Sequence, residues 1–420
     1  MAMTMVEKIL ARAAGRTAVK PGEIVNVAVD TTVLIDLNFY HGYWHEFKKI
    51  ADPERVVVIF DHIVPPKDLQ SAEALKRGRN FIKRFGIERV HDVGPRMGIS
   101  HQLIADEAYA LPGSVLACID SHTCSAGAFN CLARGMGNPE MVFITAKGTT
   151  WFWVAETIQY RLEGTLSPEV SAKDIFLHIA NEYGDHANYN VEFVGPAIAQ
   201  LSLNARRTLA TMCSEISVEF VVFEADSKVV EHVRARTARP FEPQFADAGA
   251  RYADIRTIDL AAIEPMVAWP DSVVRNSRPV GEARGVSIDQ AFIGSCANGT
   301  LDDLEVAAQI LKDRKVASTV TLIVTPGSQA IYAEAVKRGY VETLVAAGAV
   351  VTSSTCGACA GLHMGVLAAG ERCITASTRN FRGRMGSPEA EIFMGSPATV
   401  AASAIRGEIA DPRQFIGGRG

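Results

Sequence analysis

The sequence predicts an α/β fold, with mainly parallel sheets covered on both faces by helices. Two observations carry that reading. Short, continuously apolar runs recur along the chain: VNVAVD (25–30), RVVVIFD (55–61), SVLACID (114–120), QAFIGS (290–295), VTLIVT (320–325), GAVVTSS (348–354) and CITAST (373–378). Most are followed by a loop and a helical stretch such as LDDLEVAAQILKDR (301–314) or SQAIYAEAVKRG (328–339). Strands that are apolar throughout, set between helices, belong to sheets buried on both sides. A third observation bears on function. Polar clusters stand just behind the strands: Asp61-His62, Asp120-Ser121-His122-Thr123, Ser295-Cys296, Cys356 and Thr378-Arg379. Open α/β sheets bind ligands beyond the carboxyl ends of their strands, so these clusters are candidate site residues.

At 420 residues the chain exceeds one ordinary core, and the pattern divides it into three parts. Residues 1–155 and 284–420 read as α/β subdomains. Residues 156–283 read as a smaller α/β unit, marked by VEFVVFEAD (218–226) and the helix in LSLNARRTLATMCSEI (201–216). The Pro-rich ARPFEPQF (238–245) and EPMVAWPDSVVRNSRPVGEARG (264–285) read as connections, the second between domains. Apolar residues at 48%, charged ones at 21% and a net charge of −5 describe a globular protein without a nucleic-acid-coating role. No apolar run reaches bilayer length, which argues against a membrane partner. MAMTMVEKILARAAGR lacks a signal peptide's apolar core and reads as a surface helix. The eight cysteines form no regular framework; with no export signal they are expected to be reduced, in the cytoplasm.

The pair Cys356 and Cys359 follows a strand in Gly-Ala-rich sequence, and Cys296 sits likewise in GSCANGT. A zinc ribbon needs a fourth ligand, and only His363 is near. A thioredoxin-like motif opens a helix early in a small domain, a different context. Three loop cysteines also suit a cubane iron–sulfur cluster that keeps one iron free of protein ligands, able to act as a Lewis acid. On residue types alone these options stay open.

Four motifs narrow them. DSHT (120–123), GSC (294–296), C-G-x-C (356–359) and R-N-F-x-G-R (379–384) stand in the order of the aconitase superfamily. The chain resembles the large subunit of its 3-isopropylmalate dehydratase and homoaconitase branch. PGEIVNV, FDHIVP, HQLI, AKDIFLHI and GLHMGVLAAGE extend the likeness over nearly the whole length. The resemblance implies α/β/α subdomains around an active-site cleft, without a swivel domain. It implies a [4Fe–4S] cluster held by Cys296, Cys356 and Cys359. It places Asp61, His62, His101, Asp120, His122 and Glu215 in an Asp–His catalytic network, and Ser121, Arg379 and Arg384 on the substrate. His beside a carboxylate supplies a proton donor for a leaving hydroxide, and guanidinium forks match carboxylates. Arg382 reads as a solvated basic residue, and His41, His45, His91, His178, His186 and His232 as surface or structural.

The chain departs from the family pattern at Ile35, Thr211, Thr378 and Glu219, and its GSCANG lacks the usual Thr and Ser around the cluster loop. An apolar residue in place of a polar one favours a less polar substrate group. The sequence runs only to FIGGRG after RNFRGR, which sets the expectation that the serine base lies on a separate small swivel-type subunit. The expected activity is a hydro-lyase or isomerase acting on a small hydroxy-di- or tricarboxylate. Its rivals are a hydratase of a maleate-type diacid, a non-catalytic cluster-sensing or RNA-binding protein, and a zinc-stabilised scaffold.

Overall fold

Val56–Ile59 and Val115–Cys118 are buried at every position, as strands covered on both faces must be. The structure, a computed structural model, describes residues 2–416. It divides into two compact units, one formed by Met1–Val93, Ser100–Gly164 and His186–Asp259, the other by Gly94–Ile99, Thr165–Asp185 and Leu260–Gly420.

The first unit holds a five-stranded parallel sheet in the spatial order Arg89–His91, Val56–Ile59, Thr31–Ile35, Val115–Cys118, Leu132–Gly135. The chain builds outward from Thr31–Ile35 in one direction, then restarts at Val115–Cys118 and builds in the other. Those two neighbours therefore flank a topological switch point, where the connecting helices diverge and leave a crevice at the strand ends. Asp36 and Asp120 lie just beyond them. A second parallel sheet, Val221–Phe223, Tyr189–Val194, Glu156–Glu163, Asp254–Asp259, belongs to the same unit.

The other unit is built on a seven-stranded sheet in the order Ser277–Pro279, Met266–Ala268, Glu391–Gly395, Arg372–Thr375, Gln290–Ile293, Thr321–Val324, Val350–Val351. Its last five strands are parallel and again show a switch point, between Gln290–Ile293 and Arg372–Thr375. Ala291, Ile293, Leu322, Val324 and Ile374 form the centre of its core. Cys296 follows one of the two central strands and Thr378-Arg379 the other.

Three local expectations are corrected. VNVAVD joins no parallel sheet: Ile24–Ala28 pairs antiparallel with Thr149–Trp153, with Ile24 and Asn26 exposed and Val25 and Val27 buried. Asn26 interrupts the apolar run, and period-two alternation marks a half-buried strand. The stretch 264–285 is no mere connection. Met266–Ala268 and Ser277–Pro279 form an antiparallel pair that extends the seven-stranded sheet. The N-terminal segment is a helix, Met5–Ala13, closed by a Thr4–Glu7 capping box, but it packs inward through Met5, Val6, Ile9 and Leu10. No helix among the described residues is long and apolar enough to cross a membrane.

Candidate active site

The first unit's polar cluster starts from three strand ends. Thr31–Ile35 delivers Asp36, Val56–Ile59 delivers Asp61 and His62, and Val115–Cys118 delivers Asp120. Asp120 then caps the 3-10 segment Ser121–Phe129, accepting the His122 N–H at 2.7 Å. That segment, SHTCSAGAF, is rich in small residues because it runs against Val221–Phe223. A Cβ on Gly127 would collide with the Val221 carbonyl. The helix Leu203–Met212 packs on the same segment and passes into the turn Cys213–Ile216, which presents Glu215.

Asp120 is the hub. His62 donates from Nε2 to Asp120 Oδ2 at 3.1 Å and from Nδ1 to Asp61 Oδ1 at 2.7 Å. His122 donates from Nδ1 to Asp120 Oδ1 at 3.1 Å and from Nε2 to Glu215 Oε1 at 2.9 Å. His101 Nε2 stands 3.0 Å from Asp120 Oδ1, misaligned for a hydrogen bond but within ion-pair range. Burial works against a charge on His62, yet Asp61 and Asp120 outweigh it and hold the ring's pKa well above its ordinary value. Burial likewise opposes ionised Asp120, but His101, His122 and His62 keep it well below the carboxylate range. The hub is thus an ionised acid among rings able to carry two protons, a store from which a proton can be handed to a leaving hydroxide. Ser121 is exposed at the start of the segment.

Asp36 is a site residue that the sequence reading did not single out. Its Oδ1 accepts the His62 N–H at 3.1 Å and its Oδ2 the Ile63 N–H at 2.8 Å, fixing the turn that aims His62. Burial first, then Asp61, push its pKa up to about 6. The available signal was its place right after a buried strand.

The second unit gathers the cysteines and the arginines. Cys296 is the second residue of the short helical turn Ser295–Asn298, whose first residue, Ser295, is a non-glycine residue at φ 75°. A left-handed backbone outside glycine stores strain, and such positions gather at functional sites. Gly357, at φ 59°, gives the turn between Cys356 and Cys359. All three thiols are buried. The neighbouring Cys359 thiol, burial and Cys296 push the Cys356 thiol well above its ordinary range. Arg384 donates from Nη2 to Cys359 Sγ at 3.6 Å, and Thr378 Oγ1 lies 3.9 Å from the same sulfur. Arg379 is half-buried on the loop after Arg372–Thr375, and Asn380 anchors that loop by donating to the Trp269 carbonyl at 2.6 Å. Around the cysteine loops, Ser353, Ser354 and Ser377 Oγ and Asn298 Oδ1 are buried without a hydrogen-bond partner among the described residues.

The residues set aside behave accordingly. His91 bonds Tyr109 at 2.9 Å, His186 bonds Tyr160 at 2.7 Å, and His232 donates to the Ala105 carbonyl at 2.9 Å. Arg382 is exposed beside Asp271. At the departures from the family pattern, Ile35 is core, Thr211 Oγ1 donates back to the Arg207 carbonyl at 2.6 Å, and Glu219 pairs with Arg134.

Residues 8–284 and 273–407 match the model of the aconitase family (aconitate hydratase). A 3-isopropylmalate dehydratase large subunit from Mycolicibacterium smegmatis is 52% identical over 99% of this chain and 98% of its own length. Proteins of the same name from Moorella thermoacetica and Halothermothrix orenii are 44% and 42% identical, each over 99% of this chain and 100% of their own. The chain belongs to the aconitase family of iron–sulfur hydro-lyases.

Proposed function

We propose that this chain is the large subunit of a [4Fe–4S] hydro-lyase that dehydrates and rehydrates a small hydroxydicarboxylate of the 3-isopropylmalate kind. The observation that carries the reading is the presence in one chain of an Asp120-centred proton store and a cysteine–arginine site, each at a switch point of its own sheet. Cys296, Cys356 and Cys359 would hold the cluster. The donor set fits: three buried thiols stand beside orphaned hydroxyls and an arginine, as expected where a group completes the site. When bound, the cluster supplies a Lewis-acid iron for the substrate's hydroxyl and carboxylate.

The chain's own residues do the rest. His62, held charged by Asp61 and Asp120, and His122, bound between Asp120 and Glu215, donate the proton that lets hydroxide leave as water, and take it back on rehydration. His101 sets the charge of the hub. Arg379 and Arg384 bind substrate carboxylates by forked donation, and Ser121 contacts the substrate. The relatives matched over 98–100% of their length are called large subunits, which supports a separate small, swivel-type subunit as partner. Eight free thiols suit a reducing compartment, the cytoplasm.

The test is reconstitution without oxygen. The loaded chain should hold about four irons and four sulfides, and dehydrate 3-isopropylmalate only once the small subunit is added. Stoichiometric zinc with no labile sulfide, or full turnover by this chain alone, would overturn the reading.

A further inference from the structure

One buried cation has no part in the scheme so far. Lys173, the second residue of the helix Ala172–Tyr183, has no exposed surface, and its ammonium donates to the Ser377 carbonyl at 2.7 Å. Burying an ammonium is costly, and an apolar side chain of similar length would fill the same space without that cost. The helix start that carries it is itself firmly tied. Ser171 and Asp174 form a capping box, and Asp174 Oδ1 accepts the Met266 N–H at 2.9 Å. Burial pushes the Asp174 carboxyl up to about 6, with Lys173 and its hydrogen bonds pulling the other way.

The carbonyl that Lys173 holds belongs to the loop behind Arg372–Thr375. Ser377 takes its other tie from its own N–H, which donates to Thr375 Oγ1 at 3.0 Å. The next residue, Thr378, sits against the Cys359 sulfur at 3.9 Å, and the one after it is Arg379. A rigid point at Ser377 therefore fixes the direction in which the chain offers both the residue beside a cluster cysteine and an arginine of the substrate site.

We propose that Lys173 is a positioning residue for this loop: its ammonium locks the Ser377 carbonyl and thereby aims Arg379 at the substrate carboxylate. The inference rests on the reading of Arg379 as a substrate arginine. Lys173 does not touch substrate. It acts through the backbone, and a charge-assisted hydrogen bond is the strong kind suited to that purpose.

The experiment is a double-mutant cycle in the cluster-loaded complex of both subunits. Lys173→Met should raise KM about 10-fold or more, the loss of one hydrogen bond to a charged group. Its effect on kcat should be smaller, with iron and sulfide content and melting midpoint as in wild type. In an Arg379→Lys background the same change should add little, because the arginine it aims is already gone. Lys173→Gln, which keeps an N–H donor, should recover part of the loss and serves as the readout if Lys173→Met fails to fold. Additive effects in the cycle, an unchanged KM, or a loss that tracks iron content or melting would overturn the proposal for Lys173 alone. An Arg379→Lys enzyme with wild-type kinetics would overturn the arginine assignment as well.

Discussion

In the unit that holds the Asp–His network, the ring nitrogens of His62 and His122 face carboxylates within 3.1 Å, and the Asp61 Oδ2 takes the Ser100 N–H at 2.8 Å. In the unit that holds the cysteines, thiols lie against one another and four buried oxygens around them lack partners among the described residues. Both sites occupy the same place in their sheets, the carboxyl ends beside a switch point. The difference lies in what completes them. Buried polar groups are normally satisfied, and an orphan calls for an explanation. The Asp–His network is preorganised by protein alone, and the cysteine site keeps the unmet donors that the proposed cluster would complete.

The largest effect should come from the unfinished site. Cys356→Ser removes one of three soft donors and should abolish bound iron, labile sulfide and dehydratase activity together. Far-UV circular dichroism should stay as in wild type, since the first unit does not depend on that thiol. Four irons retained in the variant would erase the contrast between the two sites.

Asp120→Asn attacks the finished site and should give the reverse pattern. Iron content should hold while kcat falls by about 10²–10⁴-fold, the usual worth of a positioned acid–base group. Truncating a hub that serves three histidines should also cost stability, about 3–5 kcal/mol for a broken buried pair. A kcat within a few-fold of wild type would mean that the proton comes from elsewhere.

The contrast was only half visible in the sequence. All seven apolar runs contain strands, and those buried throughout, such as Val56–Ile59 and Val115–Cys118, left the clearest continuous hydrophobic signature, with the polar clusters standing just behind them. Asp61-His62 and Asp120-x-His122 stood out as polar clusters behind strands, but their place in an acid–base network came from the family resemblance. Glu215 was not readable from spacing: it reaches His122 across 93 residues through the packing of Leu203–Met212 on Ser121–Phe129, and only family resemblance named it. Ser277–Pro279 was hidden because an edge strand tolerates proline, and Met266–Ala268, paired on both sides, because three residues leave no long apolar run. Asp36 was overlooked because a lone aspartate after a strand usually caps a turn, which it also does here.

Arg384→Lys sharpens the comparison from the second unit. The Arg384 Nη2 bond to Cys359 Sγ links the proposed substrate arginine to a proposed cluster ligand. A lysine keeps the charge but loses the forked geometry. KM should rise about 10–100-fold, the loss of a hydrogen bond between charged groups, with kcat and stability less affected. Equal KM in both enzymes would remove Arg384 from substrate binding and leave it a support for the sulfur.

The smallest effect tests whether the finished site is finished at a cost. Asp36 is fully buried beside Asp61, and its carboxyl is raised from the ordinary 3.8 to about 6. A raised carboxyl means that the folded state holds its proton more tightly than the unfolded chain does. Between about pH 4 and pH 6 the unfolded state ionises first, so stability from this group falls as pH rises, then levels off above about 6. Asp120, held low, contributes in the opposite sense, but its contribution is lost only below the ordinary 3.8 and so lies outside this window. Asp36→Asn cannot ionise and keeps one acceptor oxygen for the Ile63 or His62 N–H. Its stability relative to wild type, read from urea unfolding, should therefore grow from about pH 4 to pH 6 and stay flat above. The shift caps the gain at about 3 kcal/mol, and relaxation around the pair leaves on the order of 1 kcal/mol. A difference between the two proteins that does not change with pH would show that Asp61 and Asp36 do not compete, and that the network carries no buried repulsion.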